Sequence, residues 1–249
     1  MESVLATEGL RVTLTDQSRR FTLDAGGLAL GEGEAVGLSG ASGTGKTLLL
    51  ELLGLLRRPD PGGRYLLRAE GGTRDLAALW PRGAGRIGPL RGRLFGFVPQ
   101  TGGLLPFLDV RGNIALSQRI SGREDAGRIT ALIDRLGLAD VARMLPERLS
   151  IGQRQRVAIG RALAHRPRFV IADEPTAALD PDTAARAMAL LFEAAREGGA
   201  AVIVSSHDVG LLARFPLRRF ALTAESDGAG GSVVSRLGAA PAAERAPCA

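Results

Sequence analysis

The sequence has few of the cysteine, histidine and aromatic residues that form disulfides, zinc sites and base-stacking surfaces. It has one cysteine, Cys248, and two histidines, His165 and His207. A single cysteine excludes an internal disulfide and a cysteine-based metal cage, and two histidines do not favour a zinc site. Aromatic residues make up only 4% of the chain, which leaves few platforms for stacking on nucleic-acid bases. Because the arginines are also scattered, the net charge of +6 predicts a basic surface, and we expect no nucleic-acid partner.

Long apolar runs are absent as well. No stretch approaches the ~20 apolar residues that span a bilayer. The N-terminus, Met1-Glu2-Ser3, lacks the basic and then apolar pattern of a signal peptide, so we expect a cytoplasmic chain. The 249 residues are enough to bury a core of their own. We expect one domain over residues 1–249, ending in a disordered Gly- and Ala-rich tail at about 237–249.

Lysine is the scarcest charged residue. Among the 32 lysine and arginine residues the only lysine is Lys46, in a glycine-rich stretch that fits the phosphate-loop pattern G-x-x-x-x-G-K-[ST]. A compact ammonium suits a crowded phosphate better than a planar guanidinium, and the glycines let backbone N–H groups turn toward an anion. The alternative is a flexible Gly/Ser loop between two core elements. The predicted phosphate-binding residues are Gly40, Ala41, Ser42, Gly43, Thr44, Gly45, Lys46, Thr47 and Leu48.

Polar side chains follow three further strand-like segments. Gln100, the pair Asp173-Glu174 and His207 each come directly after a short apolar run. Adjacent carboxylates at a strand end point to opposite sides, so Asp173 can hold Mg²⁺ while Glu174 polarises a water. Gln100 is placed to touch that metal or water. Taken alone, a glutamine at the position of Gln100 is more often a loop residue, and a lone histidine such as His207 is more often structural.

Two predicted helix starts carry capping residues. Ser150, with Gln153 three residues later, has the pattern of a capping box. Asp180 followed by Pro181 is typical of an N-cap with proline at the first helical position. A helix N-terminus offers free N–H groups and partial positive charge to a phosphate, although a well-capped helix needs no ligand. Helical patterns between about 101 and 165 predict a small lobe set apart from the sheet.

Taken in order, these motifs resemble the ATP-binding cassette ATPase of membrane transporters. The resemblance covers about residues 5 to 235 and rests on five motifs: the phosphate loop at 40–47, the Gln100 loop, the signature Leu149 to Gln153, the strand end Asp173-Glu174 with Ala177 to Asp180 behind it, and His207. It implies an α/β fold, in which a P-loop NTPase core with a mainly parallel sheet carries an N-terminal antiparallel β region and a small helical lobe.

The resemblance also implies a role for each motif, with ATP and Mg²⁺ as cofactors. The implied metal ligands are Thr47, Gln100 and Asp173. The implied catalytic residues are Glu174, which activates water, His207, which steadies the γ-phosphate, Lys46 and Gln100. The implied nucleotide-binding residues outside the loop are Ser150, Gly152, Gln153 and Asp180. Because Ser150 and Gly152 would contact ATP held by the opposite subunit, a homodimer or pseudo-symmetric dimer would enclose two nucleotides.

The sequence departs from the family pattern at two places. Ile151 replaces the usual glycine before Gly152, which crowds the approach to a partner's phosphate. The aromatic that usually stacks on adenine is missing from residues 10–20. Phe21 is the nearest candidate, and its place in an apolar strand favours a core role.

The function implied is that of an ATP-hydrolysing motor that lies on the inner face of the cell membrane, dimerises on ATP and drives a separate membrane-spanning transporter subunit. The sequence around Gln100 looks most like the branch that releases lipoproteins or exports macrolides. Two alternatives are a soluble cassette ATPase that acts on nucleic acid or ribosomes and a non-enzymatic nucleotide-binding regulator. The short stretch between Gln100 and Ser150, without coiled-coil or zinc insertion, argues against the first, and the intact Glu174 argues against the second.

The segment after Gln100 is predicted to dock the membrane subunit. It is apolar, yet it follows a strand end and precedes a capped helix, so part of it should stay exposed, and exposed apolar patches mark partners. Core packing is the alternative for each residue. The predicted docking residues are Leu104, Leu105, Phe107 and Val110.

Overall fold

The computed structural model describes residues 3–16, 19–69, 71–226 and 231–240. The strands are β1 (Ser3–Glu8), β2 (Arg11–Asp16), β3 (Arg19–Asp24), β4 (Ala29–Gly31), β5 (Ala35–Ser39), β6 (Arg64–Ala69), β7 (Gly72–Asp75), β8 (Phe95–Val98), β9 (Phe169–Ala172), β10 (Ala201–Ser205), β11 (Arg218–Ser226) and β12 (Ser232–Ala239). The α-helices are α1 (Lys46–Leu53), α2 (Ala84–Leu94), α3 (Val110–Ser121), α4 (Ala126–Arg135), α5 (Ile151–Leu163), α6 (Pro181–Glu197) and α7 (Val209–Ala213). No helix within the described ranges is long and apolar enough to span a bilayer.

Four parallel strands carry the predicted motifs. They belong to a sheet with the order β2-β3-β12-β11-β5-β10-β9-β8, in which β11, β5, β10, β9 and β8 run parallel. Strands β9 and β10 are buried along their whole length, as their continuous apolar runs predict. Val98 and Val204 both pair with Ala172, so the three strands end at one level. The residues that follow them meet at the carboxyl edge of the sheet, where ligands bind in such folds.

The antiparallel region is larger than the sequence predicts. Strands β2 and β3 form an antiparallel pair in the predicted N-terminal β region, and β1 belongs to a second sheet of order β4-β1-β6-β7. The short β4 and the mostly exposed β7 show no apolar alternation, so no period-2 signal marks them. Strand β12 extends to Ala239, so residues 237–239 are strand rather than tail. The rest of the predicted tail after residue 240, with Cys248, lies outside the described residues.

Helix α5 connects the helical lobe to the sheet. It packs against α3, α4 and β8, and a Cβ built on Gly96 of β8 would lie 2.0 Å from the Ala162 carbonyl oxygen. Only glycine allows this approach of strand and helix. The lobe predicted at about 101–165 is therefore joined to the sheet through α5 rather than set apart from it.

The sheet buries a hydrophobic core on each face. Alternate residues of β9 and β10 belong to different cores: Val170 and Val202 face the lobe, whereas Ile171 and Ile203 face α1 and the antiparallel sheet. This division follows from the period of two along a strand. Val110 has 0% exposure inside the first core, so its predicted place on a docking surface is wrong. As the first residue of α3, it turns inward with Ile114.

Candidate functional site

The phosphate loop has a backbone that only glycine adopts easily. Gly40, Gly43 and Gly45 have φ of 154°, 80° and 92°. A Cβ on Gly40 would lie 2.8 Å from Thr44 Oγ1, and one on Gly45 would lie 3.0 Å from Phe21 Cζ. Helix α1 begins directly after Gly45, which makes no side-chain cap hydrogen bond. Its first N–H groups are therefore directed at the loop's concave side, as anion binding requires.

Lys46 lies between the loop and the end of β9. Its Nζ donates to the carbonyl oxygens of Gly40 at 2.9 Å and Ala41 at 3.3 Å. The Glu174 Oε1 atom is 3.6 Å from the same Nζ, and the two side chains are only 10% and 12% exposed. The charge of the only lysine is thus held in the cleft between the phosphate loop and a carboxylate.

Asp173 is fixed on both of its oxygens. Thr47 Oγ1 donates to Asp173 Oδ2 at 2.7 Å, and Ser205 Oγ donates to Asp173 Oδ1 at 2.7 Å. Ser205 Oγ in turn accepts from the Glu174 backbone N–H at 2.9 Å. Ser205 is completely buried and was missed by the sequence analysis. The signal that could have found it is a hydroxyl at the end of an otherwise apolar parallel strand.

Glu174 is held by His207 from the neighbouring strand end. Its Oε2 lies 2.7 Å from His207 Nδ1 and accepts from the His207 backbone N–H at 3.1 Å. Glu174 has a φ of 46°, which a non-glycine residue adopts only where the surroundings enforce it. His207 is 64% exposed and Glu174 12% exposed, so the imidazole covers the carboxylate on its solvent side.

These residues line one cavity of about 630 Å³. The structure brings together the phosphate loop, Gln100, Glu174 and His207, as predicted, at the carboxyl edge of the sheet. The cavity has an apolar end made by Leu14 and Phe21, which face each other across β2 and β3. Phe21 is half-buried against the core and also lines the cavity, while Leu14 is 40% exposed. The lining residues are Leu14, Phe21, Ser42, Gly43, Gly45, Lys46, Thr47, Leu48, Glu51, Arg57, Gln100, Glu174 and His207.

The remaining predicted residues lie on a different surface. Ser150 and Gln153 form the predicted capping box, with Gln153 N–H to Ser150 Oγ at 3.2 Å and Ser150 N–H to Gln153 Oε1 at 2.8 Å. Asp180 caps α6, and the hydrogen bond from Thr183 lowers the pKa of its carboxyl. Ser150 and Asp180, together with Gly152 and with Ile151, which is 50% exposed, line a second cavity of about 700 Å³ that shares no lining residue with the first. Gln153 does not line this cavity.

The comparisons with known proteins agree with this geometry. The family model described as "ABC transporter" matches residues 23–177. The chain is 41% identical over 225 residues to the lipoprotein-releasing system ATP-binding protein LolD 2 of Caulobacter vibrioides, covering 89% of this chain and 95% of the relative. It is 38% identical over 208 residues to the methionine import ATP-binding protein MetN of Mesorhizobium japonicum, covering 81% of this chain but 54% of the relative.

A solved structure shares the fold. The ATP-binding cassette MJ0796, in a dimeric post-hydrolysis state bound to ADP and Pi, is similar with a TM-score of 0.75 and 30% identity. The similarity covers 87% of this chain and 93% of that one. The predicted P-loop core, antiparallel region and helical lobe are thereby confirmed. Since the family model also spans more than half of the chain, the chain belongs to the ABC transporter family, in which it is an ATP-binding and ATP-hydrolysing subunit.

Proposed function

We propose that Lys46, Glu174 and His207 carry out ATP hydrolysis in the 630 Å³ cavity. The observation that carries this proposal is their convergence: a lysine from α1, a carboxylate after β9 and a histidine after β10 meet beside the glycine loop. The loop N–H groups and Lys46 would bind the phosphates, because both offer hydrogen-bond donors to an anion.

The residues beside the loop fit a magnesium ion. Thr47 Oγ1 and Asp173 Oδ2 are hard oxygen donors that already lie 2.7 Å apart, and the amide of Gln100 lines the same cavity. Magnesium prefers oxygen ligands and is held by few side chains together with phosphates and waters. We assign Thr47, Asp173 and Gln100 as the side chains that would hold it. When bound, it would neutralise charge on the phosphates and orient them.

Glu174 is the group that would take the proton from the attacking water. Oε2 is occupied by both contacts from His207, which leaves Oε1, on the Lys46 side, for the water. A carboxylate within hydrogen-bond reach acts as a general base. His207 would hold the carboxylate in place and, being the more exposed of the two, would also reach the γ-phosphate.

The second surface would complete the nucleotide site of another copy. Ser150 and Gly152, at the start of α5, cannot meet the cavity of their own chain, which shares no lining residue with theirs. A symmetric head-to-tail pair would place each α5 N-terminus over the partner's phosphates, with Gln153 and Asp180 beside it. The dimeric state of the similar cassette MJ0796 supports this arrangement.

The membrane-spanning subunit would dock at the start of α3. Phe107 is 73% exposed, and Met144 and Leu145 are 40% and 37% exposed. The Val110 N–H donates to the Met144 carbonyl at 3.0 Å, so the two apolar segments are neighbours and form one patch. The chain would then lie at the inner face of the membrane. Because LolD is matched over nearly its whole length, we propose lipoprotein release as the transport class.

The docking proposal is tested with Phe107→Ser, with Ile120→Ser as the control because Ile120 is 69% exposed outside this patch. We expect folded Phe107→Ser protein with normal basal ATPase that no longer co-purifies with its membrane subunit. Retained association in the folded variant would move the interface elsewhere.

A further inference from the structure

The loop after Gln100 is attached to helix α5 through the carbonyls of two successive glycines, Gly102 and Gly103. Gly102 and Gly103 have φ of 73° and 54°, so two successive residues adopt the left-handed region that favours glycine. In this conformation both carbonyls face α5. Arg161 donates to them with separate nitrogens, Nη2 to Gly102 O at 2.8 Å and Nη1 to Gly103 O at 2.8 Å.

Arg161 is the main hydrogen-bonding restraint on this loop. The Gly102 N–H also donates to the Pro99 carbonyl at 2.9 Å. Within the described residues, no other hydrogen bond joins residues 100–104 to the rest of the chain. The next anchor is Asn113, which binds Leu105 through both main-chain groups. Gln100 thus begins a short span held at its far end by Asn113 and in its middle by Arg161.

The guanidinium of Arg161 donates to these two carbonyls rather than to a carboxylate. No carboxylate lies within 4.0 Å of it in the part of the chain that the structure describes, and burial lowers its pKa from the ordinary value. Its own carbonyl accepts from Ser117 Oγ at 2.6 Å, which fixes that turn of α5 against α3. A planar fork with two parallel donors fits two neighbouring carbonyls in a way that an ammonium cannot.

We infer that Arg161 is a positioning residue for Gln100: by holding the Gly102 and Gly103 carbonyls against α5, it keeps the Gln100 amide in the nucleotide cavity. This inference rests on the proposed role of Gln100. Arg161 does not touch the cavity itself, so it acts only through the loop.

The variant that tests this inference is Arg161→Lys, which keeps the charge and loses the fork. Arg123→Lys is the matched control, because Arg123 also donates to carbonyls, those of Arg93, His165 and Arg166, none of which lies in the loop after Gln100. In the nucleotide-free protein, we expect amide hydrogen exchange of Gly102, whose N–H is bonded to the Pro99 carbonyl, to accelerate in Arg161→Lys only.

ATPase kinetics supply the second measurement. Arg161→Lys should lower kcat about 10- to 100-fold, the usual effect of losing a group that orients a ligand, and raise the Mg²⁺ concentration for half-maximal activity. The KM for ATP should change by less than about 2-fold because residues 40–47 bind the nucleotide. Gln100→Ala should show the same pattern, and Arg161→Lys should add no further loss in the Gln100→Ala background.

The double-mutant cycle distinguishes the proposed role of Gln100 from the proposed role of Arg161. An active Gln100→Ala enzyme would overturn the role of Gln100 and this inference with it. An impaired Gln100→Ala enzyme beside a normal Arg161→Lys enzyme, or losses that multiply in the double variant, would overturn the role of Arg161 alone. Unchanged exchange at Gly102 in Arg161→Lys would do the same.

Discussion

The nucleotide cavity and the surface at the start of α5 differ in how complete they are within one chain. In the cavity, charged and polar groups contact each other: Lys46 lies beside Glu174, and Asp173 accepts hydrogen bonds from Thr47 and Ser205. At the α5 surface, Ser150 is satisfied by its own helix, and Ile151 is exposed beside an open cavity. The groups of the first region are organised by their own chain, whereas the second is the region that we propose a partner completes.

The largest effect should come from Glu174→Gln, which removes the proposed base and leaves the loop and Lys46 in place. We expect kcat to fall about 10²- to 10⁴-fold with ATP binding retained, and an ATP-bound dimer to accumulate. Steady-state ATPase and gel filtration with ATP would measure this, with the exposed Glu147→Gln as the control. Near-normal turnover would remove Glu174 from the assigned role.

Ser205→Ala tests whether the cavity depends on its buried hydroxyl. The variant leaves Asp173 Oδ1 and the Glu174 N–H without a partner, so activity should fall about 10- to 100-fold and the free energy of unfolding by about 1–3 kcal/mol. Ser121→Ala is a suitable control, since this buried hydroxyl bonds only within α3. Equal stability loss with full activity in both variants would show that Ser205 is merely structural.

Glu174 and Ser205, the residues changed in these two variants, differ in whether the sequence predicted them. Glu174 and His207 were predictable because each follows the end of a strand of a parallel sheet, and such ends meet at one edge. Lys46 was predictable from the phosphate-loop pattern. Ser205 was missed because a hydroxyl at a strand end is a weak signal by itself, and the register of β10 against β9 is what brings this hydroxyl to Asp173. Val110 was wrongly predicted to lie on the docking surface, because an apolar residue is typical both of a core and of a docking patch. Helix α2, with Gly85, Gly88, Pro89 and Gly92 inside it, has a composition that argues against a helix.

Ile151→Gly should affect only the partner-facing region. If the branched side chain obstructs a partner's nucleotide, ATP-driven dimer formation should accelerate by a few fold, while the helix start loses about 1 kcal/mol. Light scattering after ATP addition would follow this, with Val209→Gly, an exposed residue at the first position of α7, as the control. Slower dimerisation at an unchanged melting temperature would mean that Ile151 makes a favourable contact.

The smallest effect should come from Leu14→Phe at the apolar end of the cavity. An aromatic ring opposite Phe21 would give adenine a stacking surface, worth about 0.5–1.5 kcal/mol, or roughly 2- to 12-fold in ATP affinity. Leu56→Phe controls for added apolar surface, because Leu56 is 51% exposed and does not line the cavity. Equal ATP affinity in Leu14→Phe and the wild type would place the base elsewhere.

Mixing two inactive variants tests most directly whether a complete cavity must be paired with a partner's α5 surface. Glu174→Gln disables the cavity, and Gly152→Asp puts a carboxylate on the surface that should meet the partner's phosphate, with the Ser150 cap retained. Each variant alone should be nearly inactive. An equimolar mixture, combined before ATP is added, should recover up to about a quarter of wild-type activity, since mixed dimers hold one intact composite site. A mixture as inactive as its components, from two folded variants that dimerise, would contradict the account.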